Sequence, residues 1–179
     1  MIEVTFLGRG GQGAFTTSRI LAIAASLYEG KYALSFPSFG PERRGAPVFA
    51  YSKIDNNPIR DRSQSPKSDY IVVLDESLYK EDLKSKLKEN GKIILNTSRK
   101  EEYEDDIVTT FDALPIGIEY LGAPITNTAM LAALVFLTDI VSYESLEKAI
   151  VYDLKPRIAE KNKKLIEYVA QLIGGDSNE

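Results

Sequence analysis

The sequence contains neither cysteine nor histidine among its 179 residues. Without cysteine, the chain forms no disulfide, offers no thiolate nucleophile and holds no cysteine-ligated iron–sulfur cluster. Without histidine, it lacks the commonest general base and the commonest metal ligand. A chain restricted to carboxylates, lysine and tyrosine is more typical of a binding module or a non-catalytic subunit. We therefore predict no catalytic residue and no metal site in this chain.

Long apolar runs and excess positive charge are also absent. No run approaches the roughly 20 apolar residues that a membrane span needs, and the chain opens directly into a strand, so we expect neither a signal peptide nor a membrane anchor. The net charge of −4 and the pI of about 5.1 argue against a nucleic-acid partner. We expect a cytoplasmic protein with one domain over residues 1–175 and a polar tail over 176–179.

A glycine-rich turn follows the first apolar run, which spans residues 2–7. Gly8, Gly10 and Gly13 fit the dinucleotide spacing G-x-G-x-x-G, and residues 14–28 are predicted as a helix. A strand, a glycine turn and a helix direct free N–H groups and the helix dipole at one point, which favours an anion. The same turn could instead serve only to pack the helix on the strand, and both interpretations stay open.

A nicotinamide site also needs an acidic residue about 20 residues beyond the glycines, where it binds the ribose. Residues 33–37 contain no such residue, and Glu42 is the first acid after them. We therefore predict that the turn does not bind NAD. The phosphate of another ligand, or a neighbouring subunit, could still use it.

Strand and helix patterns alternate along the rest of the chain and predict an α/β fold, with a three-layer, mostly parallel Rossmann-like sheet and helices on both faces. An added antiparallel hairpin of residues 48–54 with 58–62 is predicted at one edge. The remaining strands are predicted at 32–36, 70–74, 92–95 and 107–111. Helices are predicted at 78–87, 113–121, 129–138 and 142–152, and from Pro156 to the glycine pair at 174–175.

Arginines are concentrated in the first third of this acidic chain, at Arg9, Arg43, Arg44, Arg60 and Arg62. On a strand, Arg60 and Arg62 would leave the same face. Guanidinium groups suit phosphates and carboxylates, but these arginines could equally pair with carboxylates of this chain or of a partner chain.

Two further segments could form a site. Residues 36–47 combine prolines, the aromatic residues Phe36 and Phe39, and arginines, which suits either a subunit interface or a loop packed on its own sheet edge. Residues 122–128 form a polar turn before an apolar helix. There Thr126 or Asn127 could cap the helix or reach a ligand.

Three motifs together resemble the gamma subunit of 2-oxoacid:ferredoxin oxidoreductases, most closely the pyruvate type. They are GRGGQGAFTTSRILA, SFPSFGPERRGAPV with IRDRSQ, and APITNTAMLAAL, and the later segment SYESLEKAI…IAEKNKKLI also fits. Family members that use 2-oxoglutarate, branched-chain 2-oxoacids or aryl-pyruvates share the glycine turn, so these substrates stay open. The rival interpretations are a free-standing nucleotide-binding regulatory domain and an NAD-linked reductase.

The resemblance implies a multisubunit enzyme that converts pyruvate, CoA and oxidised ferredoxin to acetyl-CoA, CO2 and reduced ferredoxin. It implies alpha, beta and delta subunits as partners, with thiamine diphosphate between alpha and beta and [4Fe–4S] clusters in beta and delta. This chain alone would bind no cofactor and would pack beside the active site. The residues that would face CoA phosphates or the alpha subunit are Gly8, Arg9, Gly10, Gly11, Gln12, Gly13, Arg43, Arg44, Thr126 and Asn127.

Overall fold

The computed structural model describes residues 1–38 and 45–176, without the side chains of residues 175 and 176. Its single sheet has the strand order β2-β3-β1-β4-β5-β6. β1, β4, β5 and β6 are parallel, and β3 lies antiparallel between β1 and β2. The strands are β1 (Ile2–Arg9), β2 (Tyr32–Pro37), β3 (Pro47–Asp55), β4 (Ser68–Val73), β5 (Leu87–Asn96) and β6 (Val108–Phe111). The predicted α/β class, with a mostly parallel sheet and an antiparallel addition, is confirmed.

The α-helices of the described chain are α1 (Ala14–Ile23), α2 (Lys100–Tyr103), α3 (Leu114–Leu121), α4 (Asn127–Thr138), α5 (Tyr143–Asp153) and α6 (Pro156–Asp176). All except the four-residue α2 cover one face of this sheet and enclose the main core, whereas Tyr103 of α2 packs against a cluster on the opposite face. The predicted apolar helix, α4, is buried over most of its length against the strands and α6. No helix within the described ranges is long and apolar enough to cross a membrane.

The opposite face of the sheet carries a smaller apolar cluster around Leu7, Ile71 and Val73. The prediction of a helix over residues 78–87 is wrong. Two 3-10 turns, Glu76–Leu78 and Glu81–Lys86, stand there instead. Leu83 is the only buried residue of the second turn, so a longer helix would gain little by packing on the sheet.

The antiparallel hairpin is built differently from the prediction. β3 pairs with β2 and β1, and residues 58–62 form no strand. Lys53 of β3 is fully buried, and its Nζ donates to Asp61 over 2.8 Å. Residues 58–62 therefore lie beside β3, where Asp61 neutralises the buried ammonium, and they do not pair with β3 as a strand. Arg60 and Arg62 are exposed on this irregular segment, so their predicted place on one strand face is wrong.

The helix ends largely follow the prediction. Ser142 caps α5, with its hydroxyl accepting from the N–H of Ser145 over 3.1 Å. The first predicted helix continues past α1 as a π-helical turn over Ala24–Tyr28. The last helix, α6, runs through the glycine pair to Asp176, so its predicted end was slightly early.

Candidate functional site

The glycine turn joins the carboxyl end of β1 to the amino end of α1. Gln12 N–H donates to the carbonyl oxygen of Arg9 over 2.9 Å, which closes the turn. Gly13 occupies the N-cap position of α1 with φ +83°, a left-handed conformation that favours glycine. The predicted strand–turn–helix unit is therefore present.

Gln12 braces this turn from inside. Its Oε1 accepts from the N–H of Arg9 over 2.6 Å, and its Nε2 donates to Asp75 Oδ2 over 2.9 Å. Asp75 follows β4, the strand beside β1. Both ends of the Gln12 amide are thus used to hold the turn against the end of the next strand, so its side chain has a structural role.

Arg9 connects three loops at this edge of the sheet. Its guanidinium donates to Asp75 Oδ2 over 3.2 Å, to the carbonyl oxygen of Gly45 over 2.9 Å and to Ser77 Oγ over 2.7 Å. The positive charge of Arg9 is therefore already paired, and Arg9 acts as a clamp between loops.

The electrostatics of Asp75 agree with this arrangement. Burial opposes ionisation of Asp75, but hydrogen bonds from Ser77 and Gln12 and the charge of Arg9 outweigh it. The pKa of the Asp75 carboxyl consequently lies below its ordinary value. At neutral pH the clamp is an ion pair.

Backbone donors remain available in the turn. Among the described residues, the N–H groups of Gly11 and Gly13 have no hydrogen-bond partner, and the first N–H groups of α1 have none within the helix. Gly10 N–H, by contrast, donates to the carbonyl oxygen of Ala46 over 2.8 Å. The turn can therefore offer hydrogen bonds to an anion, although one of its donors is already used.

The turn and the 126–127 motif meet directly. A Cβ atom on Gly13 would lie 2.5 Å from Asn127 Nδ2, so the amide of Asn127 occupies the space beside this glycine. Thr126 holds the N-cap position of α4 without a side-chain cap hydrogen bond, and Asn127 is the first helical residue. Capping through the Thr126 hydroxyl, one of the two predicted roles, is thus wrong. Both residues are buried.

An open cleft of about 450 Å³ lies at the carboxyl ends of the parallel strands, with Gln12 and Thr126 on its wall. The charged residues that line it are Asp75, Glu76 and Asp112, and no lysine or arginine of the described chain does so. The charged lining of this cleft is therefore acidic, but Asp75 and Glu76 are already ion-paired with Arg9 and Arg99.

Asn96 fixes the floor of this acidic cleft. Its Nδ2 donates to the carbonyl oxygen of Leu74 over 2.9 Å, and its Oδ1 accepts from Ala113 N–H over 3.0 Å. The sequence prediction missed both Asn96 and Asp75 as site residues. Their signal is positional, because each stands where a buried parallel strand ends at the edge that carries the glycine turn.

Arg43 and Arg44 lie outside the described residues. The chain resumes at Gly45, whose N–H donates to the carbonyl oxygen of Gly10 over 3.3 Å. Eight of the ten predicted site residues are therefore located, and they gather at the glycine turn and the start of α4.

Fold and turn together define a Rossmann-like α/β domain with a glycine-rich β1–α1 connection. The sequence profile of the family described as pyruvate ferredoxin/flavodoxin oxidoreductase matches residues 3–172. The chain belongs to this family, and within it to the gamma subunits of 2-oxoacid:ferredoxin oxidoreductases. The predicted family, and the prediction of an oxidoreductase subunit, are confirmed.

Similar proteins cover nearly the full chain. Pyruvate synthase subunit PorC of Methanothermobacter thermautotrophicus is 50% identical over 163 residues, or 90% of each chain. The pyruvate/ketoisovalerate oxidoreductases common subunit gamma of Pyrococcus furiosus is 49% identical over 170 residues, which are 90% of this chain and 91% of that one. The crystal structure of pyruvate oxidoreductase subunit PORC from Thermotoga maritima superposes with a TM-score of 0.81 at 33% identity, covering 95% of each chain.

Proposed function

We propose that this chain is the gamma subunit of a pyruvate:ferredoxin oxidoreductase, or pyruvate synthase. The complex would convert pyruvate, CoA and oxidised ferredoxin to acetyl-CoA, CO2 and reduced ferredoxin. The observation that carries this proposal is the 50% identity, over 90% of each chain, with a subunit named for pyruvate synthase. Alpha, beta and delta subunits are the proposed partners, and ferredoxin is reached through the complex.

The geometry favours a non-catalytic role for this chain, beside the active site of the complex. Because the chain has no cysteine, the [4Fe–4S] clusters would lie on the partners, as would thiamine diphosphate. This chain would line the CoA side through the free N–H groups of Gly11 and Gly13 and through Arg43 and Arg44. Arg9 would not bind CoA itself, because Asp75, Ser77 and Gly45 already occupy its guanidinium.

The same edge of the molecule would bind the alpha subunit. Arg9 and Gly10 tie the glycine turn to Gly45 and Ala46, at the end of the arginine-bearing loop. The turn and the loop would therefore present one continuous surface to a partner.

One observation supports a second 2-oxoacid as a substrate of the complex. The Pyrococcus furiosus relative is named as common to pyruvate and ketoisovalerate oxidoreductases. We infer that this chain could serve a branched-chain enzyme as well, with the 2-oxoacid selected by other subunits.

Reconstitution tests the proposal. The purified alpha, beta and delta subunits from the same organism are assayed with thiamine diphosphate, CoA and viologen dye, with and without this chain. Pyruvate and 2-oxoisovalerate are the substrates, and 2-oxoglutarate is the control. We expect the chain to restore dye reduction with pyruvate. Failure of the chain to associate, or full activity without it, would contradict the proposal.

A further inference from the structure

A second cavity is lined by Asn127 and shares Ile125 with the acidic cleft. Its volume is about 310 Å³, and residues in the first turns of three helices line it: Thr16 of α1, Thr128 of α4 and Arg157 of α6. Each helix amino end carries partial positive charge. The cavity is thus surrounded by three such ends.

The charged side chains that line this cavity are positive and form no ion pair within the part of the chain that the structure describes. Arg157 and Lys161 lie four residues apart on α6, and neither forms an ion pair with a described residue. Lys161 donates only a long hydrogen bond of 3.5 Å to the carbonyl oxygen of Leu121. No Asp or Glu of the described chain lines the cavity. Because a cation is electrostatically unfavourable at a helix amino end, an external anion would relieve this arrangement.

Asn162 adds an independent sign of a missing partner. It is 3% exposed and lines the cavity, and its Nδ2 donates to the carbonyl oxygen of Ile158 over 2.9 Å. Its Oδ1 is the one buried side-chain polar atom of the described chain without a hydrogen-bond partner. A buried acceptor left unpaired destabilises a protein, and an N–H donor entering the cavity would satisfy it.

The rim of the cavity is apolar and rigid. Ile125 is 46% exposed and Ile158 is 49% exposed, and both line the cavity. A Cβ on Gly117 would overlap the carbonyl oxygen of Ile125, so α3 packs directly on the backbone of the α3–α4 loop. The rim is therefore already formed, which lowers the entropic cost of binding.

We propose that this cavity and its rim dock an acidic polypeptide segment of another subunit of the oxidoreductase. A carboxylate of the segment would pair with Arg157 and Lys161, an aliphatic side chain would enter between Ile125 and Ile158, and a backbone N–H would reach Asn162. A small anion paired with Arg157 and Lys161 would leave the half-exposed Ile125 and Ile158 in contact with water, and this favours a polypeptide that also carries an apolar side chain. The inference rests on the proposed function.

Charge reversal tests the docking surface. The affinity of the chain for the purified remaining subunits is measured for wild type, Lys161→Glu and Lys164→Glu. Lys164 is a matched control, because it is exposed on the same helix and does not line the cavity. We expect Lys161→Glu to raise the Kd by about tenfold or more and Lys164→Glu by no more than about twofold.

Asn162→Leu provides a readout that a purely structural role would not produce. Removing the unpartnered amide should raise the Tm of the isolated chain by at least about 1 °C. It should also raise the Kd for the partners by about fivefold, since the donor from the segment loses its acceptor. The carbonyl oxygen of Ile158 keeps its helical hydrogen bond to residue 162 N–H.

Three outcomes overturn the inference. If the wild-type chain assembles and the Kd is unchanged for both Lys161→Glu and Asn162→Leu, the proposed docking surface is refuted and the proposed function stands. Saturable binding of free pyruvate or CoA to the isolated chain, abolished by Lys161→Glu while assembly is unaffected, assigns the cavity to a small anion instead. A wild-type chain that does not associate at all refutes the proposed function and this inference together.

Discussion

Gly13 carries two separate constraints, a positive φ and the close approach of Asn127. Gly11 carries only the first, because its φ is +95° and a Cβ there would meet no atom within 4 Å. We expect Gly11→Ala to lower the free energy of unfolding by about 1–2 kcal/mol and Gly13→Ala to lower it by a further 1–3 kcal/mol or so. Denaturant unfolding of both variants measures the difference.

A double-mutant cycle separates the two constraints. Adding Asn127→Ala to Gly13→Ala should recover the steric part of the loss and leave the backbone strain. Equal losses for Gly11→Ala and Gly13→Ala would contradict the contact with Asn127.

The lowered pKa of Asp75 predicts that the free energy of unfolding depends on pH. A depressed folded-state pKa stabilises the fold above the unfolded value of about 3.9 and loses that contribution as pH falls through the folded value. Asp75→Asn should therefore lower the free energy of unfolding at neutral pH, by less than about 1 kcal/mol because the pair is partly exposed. The difference from wild type should shrink as the pH falls below the unfolded value of about 3.9, as followed by urea unfolding. A difference that grows in acid would contradict the Arg9–Asp75 clamp.

At the scale of the elements, β3 carries a buried positive charge, Lys53, that needs counter-charges from other segments. The Lys53 ammonium lies 2.8 Å from Asp61 and 3.4 Å from Glu3, while Glu3 is also bound by Lys88 over 2.9 Å. This network attaches the irregular segment 56–67 to the sheet, and Ser65 reinforces it by donating to Glu3 over 2.7 Å.

Removing either partner of Lys53–Asp61 should have different consequences. In Lys53→Met the two carboxylates keep other partners or solvent, so we expect a change within about 1 kcal/mol. Asp61→Asn leaves the buried ammonium without its nearest counter-charge and should lower the Tm clearly more. The Lys53 hydrogen bond holds the pKa of Asp61 well below its usual range, so wild type should lose this advantage as pH falls. Thermal unfolding of both variants at neutral and acid pH tests the order, and a larger loss for Lys53→Met would contradict it.

Sequence patterns predicted correctly the elements whose burial follows their local pattern, and they failed where a distant residue decides the structure. β1, β4 and the apolar helix α4 bury most of their residues, so local pattern and tertiary burial agree. Residues 58–62 follow a turn after β3, which predicts a hairpin partner, but Lys53 needs a counter-charge from Asp61, and no local pattern reveals that a lysine 8 residues earlier is buried. At 78–87, β5 takes the last residue, because Leu87 pairs with Ser68.

For the whole molecule, the isolated chain should have no turnover. With pyruvate, CoA, thiamine diphosphate and viologen dye, the pure chain should reduce no dye above a blank that contains buffer only, because it has no cysteine to hold a cluster. The same chain added to its partner subunits is the positive control. Measurable reduction by the pure chain would contradict its role as a non-autonomous subunit.

Sequence reasoning located much of the candidate site but not its electrostatics. The glycine turn and Asn127 could be recognised from spacing and motif, and the fold brings them together. That Asp75 neutralises Arg9, and that Arg157 and Lys161 form no ion pair within the described residues, depends on the meeting of elements far apart in the chain. Side-chain pairing of this kind follows from tertiary packing, which local patterns do not encode.

The position of β3 also has a consequence for the order in which the protein is made. Within the described sheet, β2 pairs with β3 alone. When the nascent chain has emerged only as far as Pro47, β2 therefore has no strand with which to form its backbone hydrogen bonds. The ribosome must release residues 47–55 before the amino-terminal third can be completed. Until then, the backbone of β2 stays open to chaperones and to neighbouring nascent chains.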